Sequence, residues 1–212
     1  MVDLRHMRER QHAYMAVGGA AACKKEGESM NTVEPIRDTV LVEAIAKDLK
    51  KKNPRNYIMF CIGIYSGLRV SDILKLTVRA VKGRDTIQIV EKKTGYHKTY
   101  PVPIPLRRAL AEYCKGKALD DYLIANPRTG LPLGRVQAWR IINAAGTKFG
   151  LKYIGTHTMR KTFGFHFYQK YGDVVMLMTI FGHTSEAYTL RYIGVNKAMI
   201  NDAILKFKVF KI

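Results

Sequence analysis

Near the carboxyl end of the chain, the stretch FGHTSEAYTLRYIGV (Phe181 to Val195) places His183, Tyr188, Arg191 and Tyr192 on one short run closed by a glycine. Two other segments carry polar groups of the same kind. SGLRVSDILKL holds Arg69 just after a Ser-Gly break, with Asp72 three residues on, and GTHTMRKTF holds His157 and Arg160. The i, i+3 spacing of His157 and Arg160 projects both from one helical face. A fourth segment, EKKTGYHKTYPVPI, sets Lys92 and Lys93 beside a Thr94-Gly95 turn. Singly, each has a plain explanation: a surface arginine bridged to an acid, a satisfied core histidine, a packing tyrosine. Jointly they fit one chemistry. Two guanidiniums can grip the non-bridging oxygens of one phosphate, and imidazoles can hydrogen-bond that group or move protons near neutral pH. A tyrosine hydroxyl, with an ordinary pKa of about 10, becomes a usable nucleophile if cations lower the cost of the phenolate. A lysine at a hairpin tip could protonate a leaving oxygen. The set suits phosphodiester transesterification without a metal. The paired carboxylate clusters of a two-metal nuclease are missing, and Asp72 stands alone.

These groups need elements to hold them, and helical patterns dominate from Val33 onward. DTVLVEAIAKDLKKKN starts at an Asp N-cap and spaces apolar residues at helical intervals. PRNYIMFCIGIYSGL opens with proline, is apolar nearly all round, and should be buried. RVSDILKLTVRAV restarts a helix after the glycine. Thr86, Ile87, Ile89 and Val90 favour a strand, and Thr99 to Ile104 returns extended, so a small hairpin with its tip near Lys93 is expected. Helices resume at LRRALAEYCKGK, GRVQAWRIINAAGTKFG, HTMRKTFGFHFYQKYG, DVVMLMTIFG and NKAMINDAILKFKVF. The fold class is mainly α with one small antiparallel β-hairpin (α+β). Of the remaining histidines, His97 is expected at the surface and His166 in the core.

Composition narrows the partner. Across 212 residues, 36 Lys plus Arg against 17 Asp plus Glu give +19, which calls for a polyanion. No apolar run approaches a membrane span, and there is no signal-peptide core, so nucleic acid is favoured over a membrane surface. Cys23, Cys61 and Cys114 are odd in number and far apart, which fits reduced thiols better than disulfides or a zinc site. Residues 1–29 lack apolar periodicity and carry five Lys/Arg against four Asp/Glu, so nearly all the charge excess lies beyond them. A leader or upstream extension is expected at 1–29, with Met30 as a start, and one domain over 30–212.

The order Arg … Lys … HxxR … Gly-His … Tyr resembles the catalytic domain of the tyrosine recombinases, the phage-integrase family. SGLRVSDILKL resembles its first arginine box, EKKTGYHKTYPVPI its hairpin lysine segment, GTHTMRKTF its HxxR and FGHTSEAYTLRYIGV its second histidine and nucleophile. The 23-residue step from Arg160 to His183 and the nine-residue step from His183 to Tyr192 are typical of it. The resemblance implies a site-specific recombinase working through a 3′-phosphotyrosyl intermediate on double-stranded DNA, with no metal, ATP or other cofactor. It selects Tyr192 over Tyr188 as nucleophile, with Arg69 and Arg160 as phosphate clamps and Lys93 as general acid, for which Lys92 is the rival. It also implies His157 as base, His183 as a hydrogen-bond donor to the phosphate and Asp72 as an orienting group. Further implied are a cytoplasmic, DNA-associated protein of bacterial or phage origin and self-association as a tetramer. The C-terminal helix, with Ala198, Ile200, Ala203, Ile204 and Phe207 on its apolar face, would dock on a neighbour or pack on its own domain. The alternatives are a type IB topoisomerase-like relaxing activity, or a DNA-binding regulator with a vestigial site. The departure is that no N-terminal core-binding domain of the kind such recombinases usually carry is recognisable before the catalytic segment, so either a catalytic fragment or a minimal single-domain member is expected.

Overall fold

The computed structural model describes residues 33–90 and 97–207. The expected leader and Met30 lie outside the described residues, as do Lys92 and Lys93.

Helix α1 spans Thr39–Lys52, and Asp38 caps it by accepting from the Val40 amide. Leu41, Ile45 and Leu49 recur every four residues and form its buried stripe. Asn53 caps α2, Pro54–Ser66, whose proline occupies the first turn, where no amide hydrogen is needed. As its composition requires, α2 is buried along most of its length and packs against α1 and three later helices.

Gly67 ends α2 at φ 64°, a left-handed conformation that a side chain would strain. A Cβ there would also lie 2.5 Å from the Phe163 ring. This turn delivers Arg69 to the start of α3, which spans only Val70–Ile73. The longer helix expected over this stretch does not form. The Leu76 carbonyl accepts from Leu123 and the Val78 amide donates to Asp121, so tertiary partners take the groups a helix would have used. A 3₁₀ turn, Val78–Ala80, follows.

The hairpin pairs β1, Thr86–Val90, with β2, His97–Pro101, in antiparallel register. Ile87 faces Tyr100 and Ile89 faces Lys98, which puts Lys98 and Tyr100 on the face directed at the domain. The return strand starts earlier than expected and stops at Pro101, because helix α4, Ile104–Tyr113, begins directly after Pro103.

Helices α5 (Arg135–Lys148), α6 (Thr156–Tyr171), α7 (Val174–Phe181), α8 (Glu186–Tyr192) and α9 (Lys197–Lys206) complete the order. One large core joins α1, α2, the hairpin, α4 and α5. A smaller cluster of Leu177, Phe181 and Ile193 fixes α7 and α8 to the Phe163 and Phe167 side of α6. Gly164 permits this contact, since a Cβ would meet Ile193 at 2.6 Å. Residues 33–37 cross α6: the Ile36 amide donates to Thr162 Oγ1 and its carbonyl pairs with His166 Nε2. His166 is thus half-buried and structural. Cys61 and Cys114 are buried free thiols.

Candidate active site

Three helix starts converge on one cleft. It has a volume of about 100 Å³ and is lined by Arg69, Ser71, Arg135, Thr156, His157 and Arg160, with Val70 at its base. Arg69 and Val70 open α3, Arg135 opens α5, and Thr156 and His157 open α6. The exposed amides and positive dipole ends of α5 and α6 therefore point where three guanidiniums gather, an arrangement that suits a phosphate.

Arg160 is the buried member, at 3% exposure. Its guanidinium donates to the Gly67 carbonyl at 2.5 Å and to the Phe181 carbonyl at 2.8 Å, and it lies 4.1 Å from the centre of the Phe181 ring. One side chain thus ties the turn that carries Arg69 to the turn that carries His183. Two of its five N–H groups make these bonds, leaving others for a ligand. Arg69 is exposed.

His157 and Tyr192 meet at the edge of the cleft, with His157 Nδ1 3.4 Å from the Tyr192 hydroxyl. Burial lowers the His157 pKa, and Arg160, Lys161, Arg135 and Arg69 lower it further, so the imidazole is neutral at pH 7 and can accept a proton. Burial raises the Tyr192 pKa despite the opposing pull of Arg160 and Arg69. Without a ligand the cations do not offset desolvation, and the hydroxyl stays protonated until a base removes the proton. Tyr188 stacks on Tyr192 with ring centres 6.1 Å apart, but it is 52% exposed and edges the His183 ring instead.

His183 follows Gly182, which has φ 66°, and its Nδ1 lies 3.1 Å from Thr189 Oγ1. The Thr189 hydroxyl spends its one hydrogen on the Ser185 carbonyl at 2.8 Å, so it can only accept from the imidazole. Neutral His183 is therefore the Nδ1–H tautomer, and Nε2 can donate to a phosphate only once protonated. Burial, then Arg160 and Arg69, lower its pKa.

Asp72 does not reach this cluster. Its carboxylate accepts from Ser71 at 3.4 Å, and among the described residues it forms no ion pair with Arg69 or Arg160. Sequence reasoning missed Arg135, Thr189 and Lys161. Arg135 reads as an ordinary charge at a helix start, and Thr189 as a polar helix residue. Only the tertiary fold brings them in. The face of the hairpin bearing Lys98 and Tyr100 leans on the same region: a Cβ at Gly182 would lie 2.9 Å from Lys98 Nζ, and the field of Tyr100 acts on Arg160.

Among the described residues no three His, Cys, Asp or Glu side chains group as metal ligands, and no helix is long and apolar enough to cross a membrane.

A family model described as the phage integrase family matches residues 38–199. A probable integrase/recombinase from Bacillus subtilis, YoeC, is 40% identical over 181 residues, covering 85% of this chain and 98% of that protein. The tyrosine recombinase XerA of Pyrococcus furiosus is 29% identical, and the match spans 77% of this chain but 57% of XerA. Among solved structures, a XerA recombinase superposes with a TM-score of 0.69 at 19% identity, covering 96% of this chain and 75% of that one. A XerH recombinase in a post-cleavage complex with its DNA substrate gives 0.65 at 19%, covering 86% and 55%.

Proposed function

The chain belongs to the phage integrase family, as a tyrosine-type DNA strand transferase, and we propose that Tyr192 is the nucleophile of its site-specific recombination. The observation that carries this assignment is the approach of the Tyr192 hydroxyl to His157 Nδ1, at the rim of a cleft lined by Arg69 and Arg160.

Tyr192 Oη attacks the backbone phosphorus while its proton passes to His157 Nδ1, and the P–O5′ bond breaks. The products are a 3′-phosphotyrosyl link and a 5′-hydroxyl, whose proton comes from Lys93. Lys93 is taken over its rival Lys92 on the resemblance and on the adjacent Thr94-Gly95 turn. Arg69 and Arg160 stabilise charge on the non-bridging oxygens, the electrostatic contribution that most often dominates a barrier. His183 donates through Nε2 once the phosphate anion has raised its pKa. Asp72 acts from outside this shell. Phosphotyrosine conserves the bond energy, so rejoining needs neither ATP nor a metal.

The partner is DNA, and the +19 net charge supports tight, salt-sensitive phosphate binding. Self-association on DNA is supported by α9 and the residue that ends it: Ile200, Ile204, Leu205 and the C-cap Phe207 are 53–84% exposed, an apolar surface suited to a groove on a second copy. A cytoplasmic, DNA-associated location fits this partner. A vestigial regulator or a topoisomerase is not favoured, because every chemical group is present and the relatives are named recombinases and integrases.

A duplex nicked just downstream of the scissile phosphate releases the short fragment that bears the new 5′-hydroxyl and so traps the covalent complex. Wild type and Tyr188→Phe should form a denaturation-resistant adduct, and Tyr192→Phe should form none while still shifting the duplex. Capture by Tyr192→Phe together with loss in Tyr188→Phe would reverse the assignment.

A further inference from the structure

Lys161 directly follows the clamp residue Arg160 and is buried at 8% exposure, an uncommon place for an ammonium group. It is not there to close an ion pair: among the described residues no carboxylate lies within salt-bridge distance of it. Its Nζ instead lies 5.2 Å from the centre of the Tyr192 ring, close enough for a cation–π contact. We propose that Lys161 is a positioning residue for the nucleophile, holding the Tyr192 ring by its face and favouring the phenolate as it forms.

The physical reason is differential. A neutral phenol offers the cation only its ring quadrupole, whereas a phenolate spreads negative charge into the same ring. The attraction therefore grows along the reaction coordinate, which is the condition for an interaction to raise the rate. Cation–π contacts of ordinary strength correspond to roughly 2- to 30-fold in rate.

The surroundings keep the ammonium in place. Burial lowers the Lys161 pKa, Glu34 opposes that shift, and Arg37 adds to it. Glu34 and Arg37 sit on the 33–37 segment that crosses α6, where Arg37 pairs with Glu34 at 3.2 Å and donates to the Gly194 carbonyl at 3.1 Å, two residues past the nucleophile. Gly194, at φ 81°, admits this contact, since a Cβ would lie 2.9 Å from the Arg37 guanidinium. The same segment thus fixes the end of α8 and supplies the carboxylate that faces Lys161. On the other side, Arg160 and Arg69 act on Tyr192, as does Tyr188 from the preceding turn. Lys161 also acts on His157, together with Arg160, Arg135 and Arg69. Its charge is therefore felt by both the nucleophile and its base.

The inference rests on Tyr192 as nucleophile, so Tyr192→Phe is assayed first on the nicked duplex. Persistent capture there would remove the reading itself, whatever happens at position 161. With that settled, single-turnover capture is followed against pH for wild type, Lys161→Met and Lys161→Arg. Lys161→Met should slow capture by roughly 2- to 30-fold and move the acid limb to higher pH, because loss of a nearby cation raises the His157 pKa. Lys161→Arg keeps the charge and should restore both. A rate and limb unchanged in Lys161→Met would overturn the proposal. So would a loss equal at every pH that Arg fails to rescue, the signature of packing alone. If Lys161→Met does not fold, the exposed Glu34→Gln serves instead: it leaves the cation less neutralised and should move the limb to lower pH, and an unmoved limb there also overturns it.

Discussion

Replacing Arg160 with methionine separates its two roles, because the loss in stability can be worked from the contacts. The substitution strips the Gly67 and Phe181 carbonyls of a charged donor and removes the cation from the Phe181 ring. A buried carbonyl left without its partner costs about 1–3 kcal/mol, and the ring contact adds about 0.5–2 kcal/mol. Methionine recovers part of this through apolar burial, and the desolvation of a guanidinium is no longer incurred. A net loss of about 3 kcal/mol is expected, which lowers the melting midpoint by roughly 6–12 °C for a domain of this size. Circular dichroism measures that shift, and capture is then assayed well below the mutant's midpoint. A phosphate clamp of this kind is worth about 10²–10³-fold in rate, so folded Arg160→Met should capture DNA at least a hundredfold more slowly. Arg160→Lys keeps the charge but cannot span two carbonyls on opposite sides, and should regain less than half of the stability. A midpoint within about 2 °C of wild type would show that the guanidinium does not tie the two turns together.

Four further outcomes follow from the same geometry. Because His157 and His183 titrate below the ordinary histidine pKa in the folded chain, the unfolded chain binds more protons near pH 6, and stability falls as pH drops below about 6.5. Thermal melts from pH 7 to 5 should show this loss, and His157→Gln should flatten it. Gly67→Ala forces a side chain into φ 64° and against Phe163; the backbone strain alone costs about 1–2 kcal/mol, so a drop of several degrees is expected in the same melts. Thr189→Val removes the hydroxyl that fixes the His183 tautomer and should slow capture about tenfold with little change in binding, and Thr189→Ser should restore it. Duplex affinity, read by gel shift, should fall steeply and log-linearly with salt, and a flat dependence would argue against phosphate contacts.

The first cap, the buried α2 and the order of helices are legible in the sequence because they rest on local signals: Asp38 before an apolar stripe, Pro54 at a helix start, a glycine at a helix end. The stretch after α3 is not, because its backbone bonds to residues near 121–123, far away in sequence. The site divides in the same way. The resemblance to the family's boxes marks Arg69, His157, Arg160, His183 and Tyr192, and the fold gathers them around one cleft and its rim. Asp72 has the right neighbours in sequence but stops at Ser71. Lys161, Arg135 and Thr189 carry no local signal, since their roles exist only once α5, α6 and α8 have packed. The aromatic pair shows a finer limit. Helical spacing puts Tyr188 and Tyr192 on one face, and the structure distinguishes them by what surrounds Tyr192: the His157 imidazole, the Lys161 ammonium over its ring and the pull of Arg160.

The most direct test of the account is the chemical identity of the trapped adduct. After capture on a nicked duplex, protease digestion and mass spectrometry should find one phosphodinucleotide-bearing peptide. It should contain residues 186–192, with the phosphate on Tyr192 and joined to the 3′ side of the cleaved strand, leaving a free 5′-hydroxyl. A phosphate on Tyr188, a 5′-linked adduct, or cleavage without any covalent peptide would contradict it.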